Sequence, residues 1–139
     1  MDIRPLDDTL SASPQVTVEN LRSLAAQGYR SVISNRPDGE TPDQPSAAEI
    51  ATAAKAAGLE FCHIPVVGGA IGEADVAAFK TALAELPAPI LGFCRTGTRT
   101  TTLWALARRD DQPADALIET AKAAGYDLTA LKPRLQKTA

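Results

Sequence analysis

A chain of 139 residues, 45% hydrophobic and 22% charged, has the size and composition of a single globular domain, taken here as residues 1–139, with a substantial core. No apolar run approaches the roughly 20 residues that cross a bilayer, and a net charge of −3 argues against general affinity for nucleic acid. Two cysteines and one histidine without metal-ligand spacing imply neither a metal site nor a cofactor.

The opening residues, Met1 to Asp8, are polar and acidic, unlike a secretory signal. Thr9 to Ser13 reads as a short edge strand ended by Pro14. Thr17 is an N-cap candidate for a helix over Val18 to Ala26, closed by Gly28. Tyr29 to Ser34 reads as a strand. Asn35 to Pro45 is a polar loop with a Pro-Asp-Gly turn. Ser46 and Glu49 form a capping box for an alanine-rich helix that ends at Gly58. Leu59 to Ile64 is a strand closed by Pro65, and Val66 to Gly72 is a glycine-rich loop. Glu73 to Leu86 is a helix with acidic residues in its first turn, and Pro87 to Pro89 ends it. Ile90 to Phe93 is a buried strand. A helix follows over Thr101 to Ala107, a second opens after Pro113, and a short last one runs from Asp127 to Lys137, interrupted by Pro133. Strands and helices alternate, which predicts an α/β fold with a mainly parallel sheet of about four to five strands flanked by helices. Ligands of such sheets bind at the C-terminal strand ends. That edge carries the loops Asn35 to Pro45, Pro65 to Gly72 and Cys94 to Arg99.

The third loop, Cys94-Arg95-Thr96-Gly97-Thr98-Arg99-Thr100, carries the chemistry. Successive N–H groups at a strand-to-helix turn form an anion-binding nest, strengthened by the helix N-terminus. Gly97 permits the turn. Arg95 and Arg99 flank it, and guanidinium recognises oxyanions through a bidentate fork. A cysteine in this field favours its thiolate. Cys94 is therefore the expected nucleophile and Arg99 the catalytic anion ligand. Arg95, Thr96, Gly97, Thr98 and Thr100 line the substrate, with the Thr100 hydroxyl placed to donate to the thiolate. A small anion is the expected substrate. Cys62, in an apolar strand, reads as a buried thiol and His63 as a structural residue. Free thiols fit a reducing, cytoplasmic location.

Three motifs in order resemble one bacterial family: Val32 to Glu40, then His63-Ile64-Pro65-Val66 with Gly68 to Ile71, then Phe93 to Thr100 with Leu103 to Ala107. It is the "beta-lactamase hydrolase-like protein, phosphatase-like domain" family, also labelled a sulfur transferase family. The resemblance implies a fold similar to dual-specificity protein phosphatases, and it brings Arg36 and Asp38 to the border of the site. Arg36 can equally pair with Asp38 or Glu40. In some family members the domain is fused to a persulfide dioxygenase, so such an enzyme is an expected functional partner. No second domain is expected within these residues.

Two chemistries remain. Cysteine phosphatases of this fold have five residues between cysteine and arginine, whereas four separate Cys94 from Arg99, as in single-domain rhodaneses. The usual general-acid aspartate is replaced by Gly68 and Gly69, although Asp38 or Glu40 could substitute. Expelling an alkoxide benefits from such an acid, whereas expelling sulfite does not. These features favour a thiosulfate sulfurtransferase that moves sulfane sulfur from thiosulfate or a persulfide through a Cys94 persulfide. The alternative is a protein-tyrosine or dual-specificity-like phosphatase acting on a phosphoester through a Cys94 phosphocysteine. A non-catalytic anion-binding domain is a third reading.

Overall fold

The computed structural model describes residues 1–136. Five strands form one sheet in the order β1-β2-β5-β3-β4: β1 Arg4–Pro5, β2 Leu10–Ser13, β3 Ser31–Ser34, β4 Glu60–His63 and β5 Ile90–Phe93. β1 pairs antiparallel with β2, and the other three pairings are parallel. The α/β fold and mainly parallel sheet are as expected. The segment around Thr9 to Ser13 is not the edge, however, because β1 lies outside it. Asp7 explains the difference. Its carboxylate accepts the N–H groups of Thr9 and Leu10 at 2.9 and 2.8 Å, which turns the chain so that Arg4 and Pro5 fold back opposite Ala12 and Ser11.

The helices are α1 Val18–Ala26, α2 Ala47–Ala56, α3 Glu73–Glu85, α4 Thr98–Arg108, α5 Ala114–Ala123 and α6 Lys132–Leu135. Thr17 with Asn20, and Ser46 with Glu49, make reciprocal capping boxes. The last expected helix is shorter than read. Asp127 accepts both the N–H and the hydroxyl of Thr129, a local turn that competes with helix. A 3-10 turn over Thr129–Leu131 precedes α6, Pro133 sits in its first turn, and Lys137 lies outside the described residues. Among the described residues no helix is long and apolar enough to cross a membrane.

Alternation along the strands divides the core. Ile33 and Ile90 face one cluster with Phe79, Leu103, Trp104 and Leu117 from α3, α4 and α5. Val32, Leu91 and Phe93 face the other, with Leu21, Leu24 and Ile50 from α1 and α2. The parallel register aligns Ser13, Ser34 and His63 with Phe93 at one edge, so the residue after Phe93 emerges where four strands end. Gly92 lets α4 press close to this point: a Cβ there would lie 2.6 Å from Thr100 Cγ2.

Candidate active site

Cys94 leaves the central strand with no exposed surface. Gly97 N–H donates to its sulfur at 3.0 Å. Gly97 reaches that position at φ +97°, a left-handed conformation that costs a side chain energy, and it is also the N-cap of α4. Its carbonyl accepts the N–H of Thr101 at 3.0 Å and the Thr101 hydroxyl at 2.8 Å. Thr98 N–H is turned to Thr96 Oγ1 at 3.3 Å. The sulfur therefore lies beneath a tight cup formed by this loop, with the loop's glycine amide aimed at it.

Arg99 rises from the first turn of α4 with 13% of its side chain exposed. Its guanidinium donates to both carboxylate oxygens of Glu40, at 2.8 and 2.9 Å, and to the carbonyl of Val66 at 3.0 Å. Arg36, 4% exposed, donates to the same carboxylate at 2.9 Å, to Gln15 Oε1 at 2.9 Å and to Thr41 Oγ1 at 3.3 Å. Glu40 thus sits between two guanidinium groups. Its hydrogen bonds to Arg99 lead, with Arg36 adding, and they overcome partial desolvation to hold its carboxyl at about 2. In return Glu40 raises Arg99 above its ordinary value, with a smaller contribution from the Cys94 sulfur.

The other expected site residues divide. Arg95 and Thr96 are exposed on the cup's rim, and Thr98 is exposed at the first turn of α4. Arg95 lines a groove of about 370 Å³ with Gln15, Arg36, Thr41 and Asp43. Thr98 and Arg99 line another of similar size with Gly68, Gly69, Ile71 and Leu128. The Thr100 hydroxyl, expected to face the sulfur, instead donates to Asn35 Oδ1 at 2.8 Å. Thr100 is buried, with its methyl group against Gly92 of β5. Asp38 accepts Ala47 N–H at 2.7 Å, so its carboxylate serves the start of α2 and does not face the cup. Glu40, considered as a proton donor, is held ionised. His63 Nε2 bonds the Arg36 carbonyl at 2.9 Å, a structural contact. Cys62 is half-buried, and burial pushes its thiol up.

Two further residues have large parts here. Asn35 donates from Nδ2 to the Ile64 carbonyl at 3.0 Å and from its backbone to the Phe93 carbonyl at 2.8 Å. Its own carbonyl accepts Val66 N–H at 3.1 Å. Asn35 therefore joins the ends of β3, β4 and β5. Tyr126, after α5, donates its hydroxyl to the Thr96 carbonyl at 3.2 Å. A polar residue directly after a buried strand was the available hint for Asn35. Nothing local points Tyr126 at the cysteine loop.

Residues 2–111 match the family described as "Beta-lactamase hydrolase-like protein, phosphatase-like domain". A "Beta-lactamase hydrolase-like protein" of Agrobacterium fabrum is 38% identical over 135 residues, covering 95% of this chain but 31% of the relative. The chain thus spans about a third of the length of the curated relatives it matches. A crystal structure of a "putative phosphatase" from Neisseria meningitidis is 38% identical with a TM-score of 0.88, covering 98% of this chain and 97% of that one. PTPMT1, at 17% identity and a TM-score of 0.72 over 96% of this chain and 91% of its own, shares the fold. The preference for a thiosulfate sulfurtransferase over a phosphoric monoester hydrolase is therefore corrected: both the family and the Neisseria relative are phosphatase-like. The four-residue spacing still brings an amide onto the sulfur: Gly97, at φ +97°, donates to it, and α4 starts at the next residue.

Proposed function

The chain belongs to the beta-lactamase hydrolase-like protein, phosphatase-like domain family, and we propose that it acts as one catalytic unit, a cysteine-dependent phosphatase of small phosphate monoesters. The observation that carries this reading is the Gly97 amide held on the Cys94 sulfur at 3.0 Å, with Arg99 beside it at the end of the central strand. In the first step the Cys94 thiolate attacks phosphorus in line with the ester oxygen. The S–P bond forms, the P–O bond breaks, and the departing oxygen takes a proton from water. In the second step water attacks the phosphocysteine, orthophosphate leaves with its proton, and the thiolate is restored. Arg99 and the loop amides balance the negative charge that spreads over the equatorial oxygens.

Gly68 and Gly69 leave the loop after β4 without a carboxylate, and Glu40 is too acidic to protonate a leaving group. The enzyme is thus best suited to phosphates whose leaving oxygen is already a weak base, with aryl phosphates first. Purified protein should release orthophosphate from nitrophenyl phosphate, and Cys94→Ser should reduce that release on the order of 10³-fold or more. Rates across substituted phenyl phosphates should fall steeply as the leaving phenol becomes more basic. Undiminished release by Cys94→Ser, or no release by the native protein from any of these esters, would end this reading.

A further inference from the structure

The peptide unit joining Thr96 to Gly97 faces two ways. Its N–H donates to the Cys94 sulfur at 3.0 Å. Its carbonyl, on the opposite edge of the same plane, accepts the hydroxyl of Tyr126 at 3.2 Å. A peptide unit is rigid and planar, so whatever holds the carbonyl also aims the amide. A hydrogen bond to the carbonyl further polarises the unit and makes its N–H a better donor. We infer that Tyr126 is a positioning residue: through this one peptide plane it sets the strength and aim of the hydrogen bond on the nucleophilic sulfur. The inference deepens the phosphatase reading and rests on it for its catalytic meaning.

Three observations support it. The phenol is pressed against the loop, since a Cβ on Gly97 would lie 2.1 Å from the Tyr126 hydroxyl oxygen and 2.8 Å from Cζ. Tyr126 is itself held in place. It is 8% exposed, its N–H bonds Ala121 O at 2.8 Å, and the Arg4 guanidinium stands 5.8 Å over its ring while donating to Ala124 O at 2.7 Å. Finally, burial pushes the phenol up, with Arg4 opposing, so it keeps the proton it donates. The charged groups nearby are Arg99, on the sulfur side with Glu40 bound to it, and Arg4 with Asp2 on the phenol side. Removing the Tyr126 hydroxyl alone leaves all of them in place.

The test is the pH profile of Cys94 alkylation by iodoacetamide, followed on the Cys94 peptide by mass spectrometry so that Cys62 does not interfere. Tyr126→Phe keeps the ring and deletes the donor. Because the 3.2 Å bond is a long one, the midpoint should rise by about half a pH unit, near a threefold tighter hold of the proton on the sulfur. Turnover of nitrophenyl phosphate should fall with it while KM stays close to the native value. A purely packing role would lower thermal stability and leave the profile where it was. Replacing tyrosine by 3-fluorotyrosine, which strengthens the donor without changing the fit, should move the midpoint the other way. Unmoved midpoints in the folded Phe variant or in the fluorinated protein overturn the inference. The alkylation profile needs no substrate, so a native protein that releases no orthophosphate would defeat the phosphatase reading without deciding the role of Tyr126.

Discussion

The Glu40 carboxylate occupies the Arg99 guanidinium fork, the group that on the phosphatase reading would receive an incoming phosphoryl group. Replacing it with glutamine keeps the size and one acceptor and removes the charge. In the native protein the carboxylate contacts Arg99 at 2.8 and 2.9 Å and Arg36 at 2.9 Å. Unit charges about 4 Å apart at an effective dielectric near 20 attract by about 4 kcal/mol. Glu40 keeps 28% of its side-chain surface open to water, and screening with side-chain ordering reduces the net value to about 1–2 kcal/mol. An oxyanion entering the cup must displace this partner from Arg99. Glu40→Gln should therefore tighten orthophosphate binding by roughly 5- to 30-fold. Titration calorimetry of native and variant protein with orthophosphate at constant ionic strength measures it directly. Equal or weaker binding by a folded variant would refute the competition and make Glu40 the residue that holds Arg99 ready.

Three further expectations follow from the same geometry. Arg99→Lys keeps the charge and loses the planar fork, so kcat/KM for nitrophenyl phosphate should fall on the order of 10²-fold; native kinetics would remove Arg99 from the reaction. Gly97→Ala places a Cβ 2.1 Å from the Tyr126 hydroxyl at φ +97°. The left-handed backbone alone costs roughly 1–2 kcal/mol, and the displaced ring adds to it, so the unfolding midpoint should drop clearly; an unchanged midpoint would contradict the contact. Glu40 and Glu73 are both held at about 2, Glu73 by Arg109 and then Arg134. A carboxyl more acidic when folded than when unfolded stabilises above its unfolded value and loses that contribution as pH falls toward the folded one. Denaturant midpoints should thus be level above about pH 6 and decline from about pH 4.5 toward pH 2, more gently in a Glu40→Gln, Glu73→Gln double variant. A decline of equal slope in both proteins would show that other groups carry the acid sensitivity.

What could be read from the sequence was what the chain encodes over a few neighbouring residues. The capping boxes at Thr17 and Ser46 depend on residues three apart, and both were legible. So was the strand-to-helix turn at Cys94, where cysteine, glycine and arginine lie within six residues. The sheet followed from alternation, with its edge misjudged because a two-residue strand such as β1 has no periodicity to detect. The pairing of Arg36 with Glu40 was legible across four residues, but two longer contacts were not: Glu40 meets Arg99 across 59 residues and Tyr126 meets Thr96 across 30. Only the packed sheet brings those pairs together. The preference for sulfur chemistry rested in part on the count of residues between Cys94 and Arg99, and the family and its phosphatase-like relative overturn it.

Asn35 stitches strand ends and the base of the loop after β4 to helix α4 through four hydrogen bonds. Residues 64 to 66 are thereby coupled to the same frame that carries Cys94, and that wall of the cup has little liberty of its own. Beyond it, Val67 is 62% exposed, with Gly68 and Gly69 following. On the phosphatase reading, accommodation of bulkier or slimmer esters falls to Val67 through Ala70, because Ile71 is buried in the core and Gly72 caps α3, so altered substrate choice should be sought by varying that tip, with the reacting atoms undisturbed.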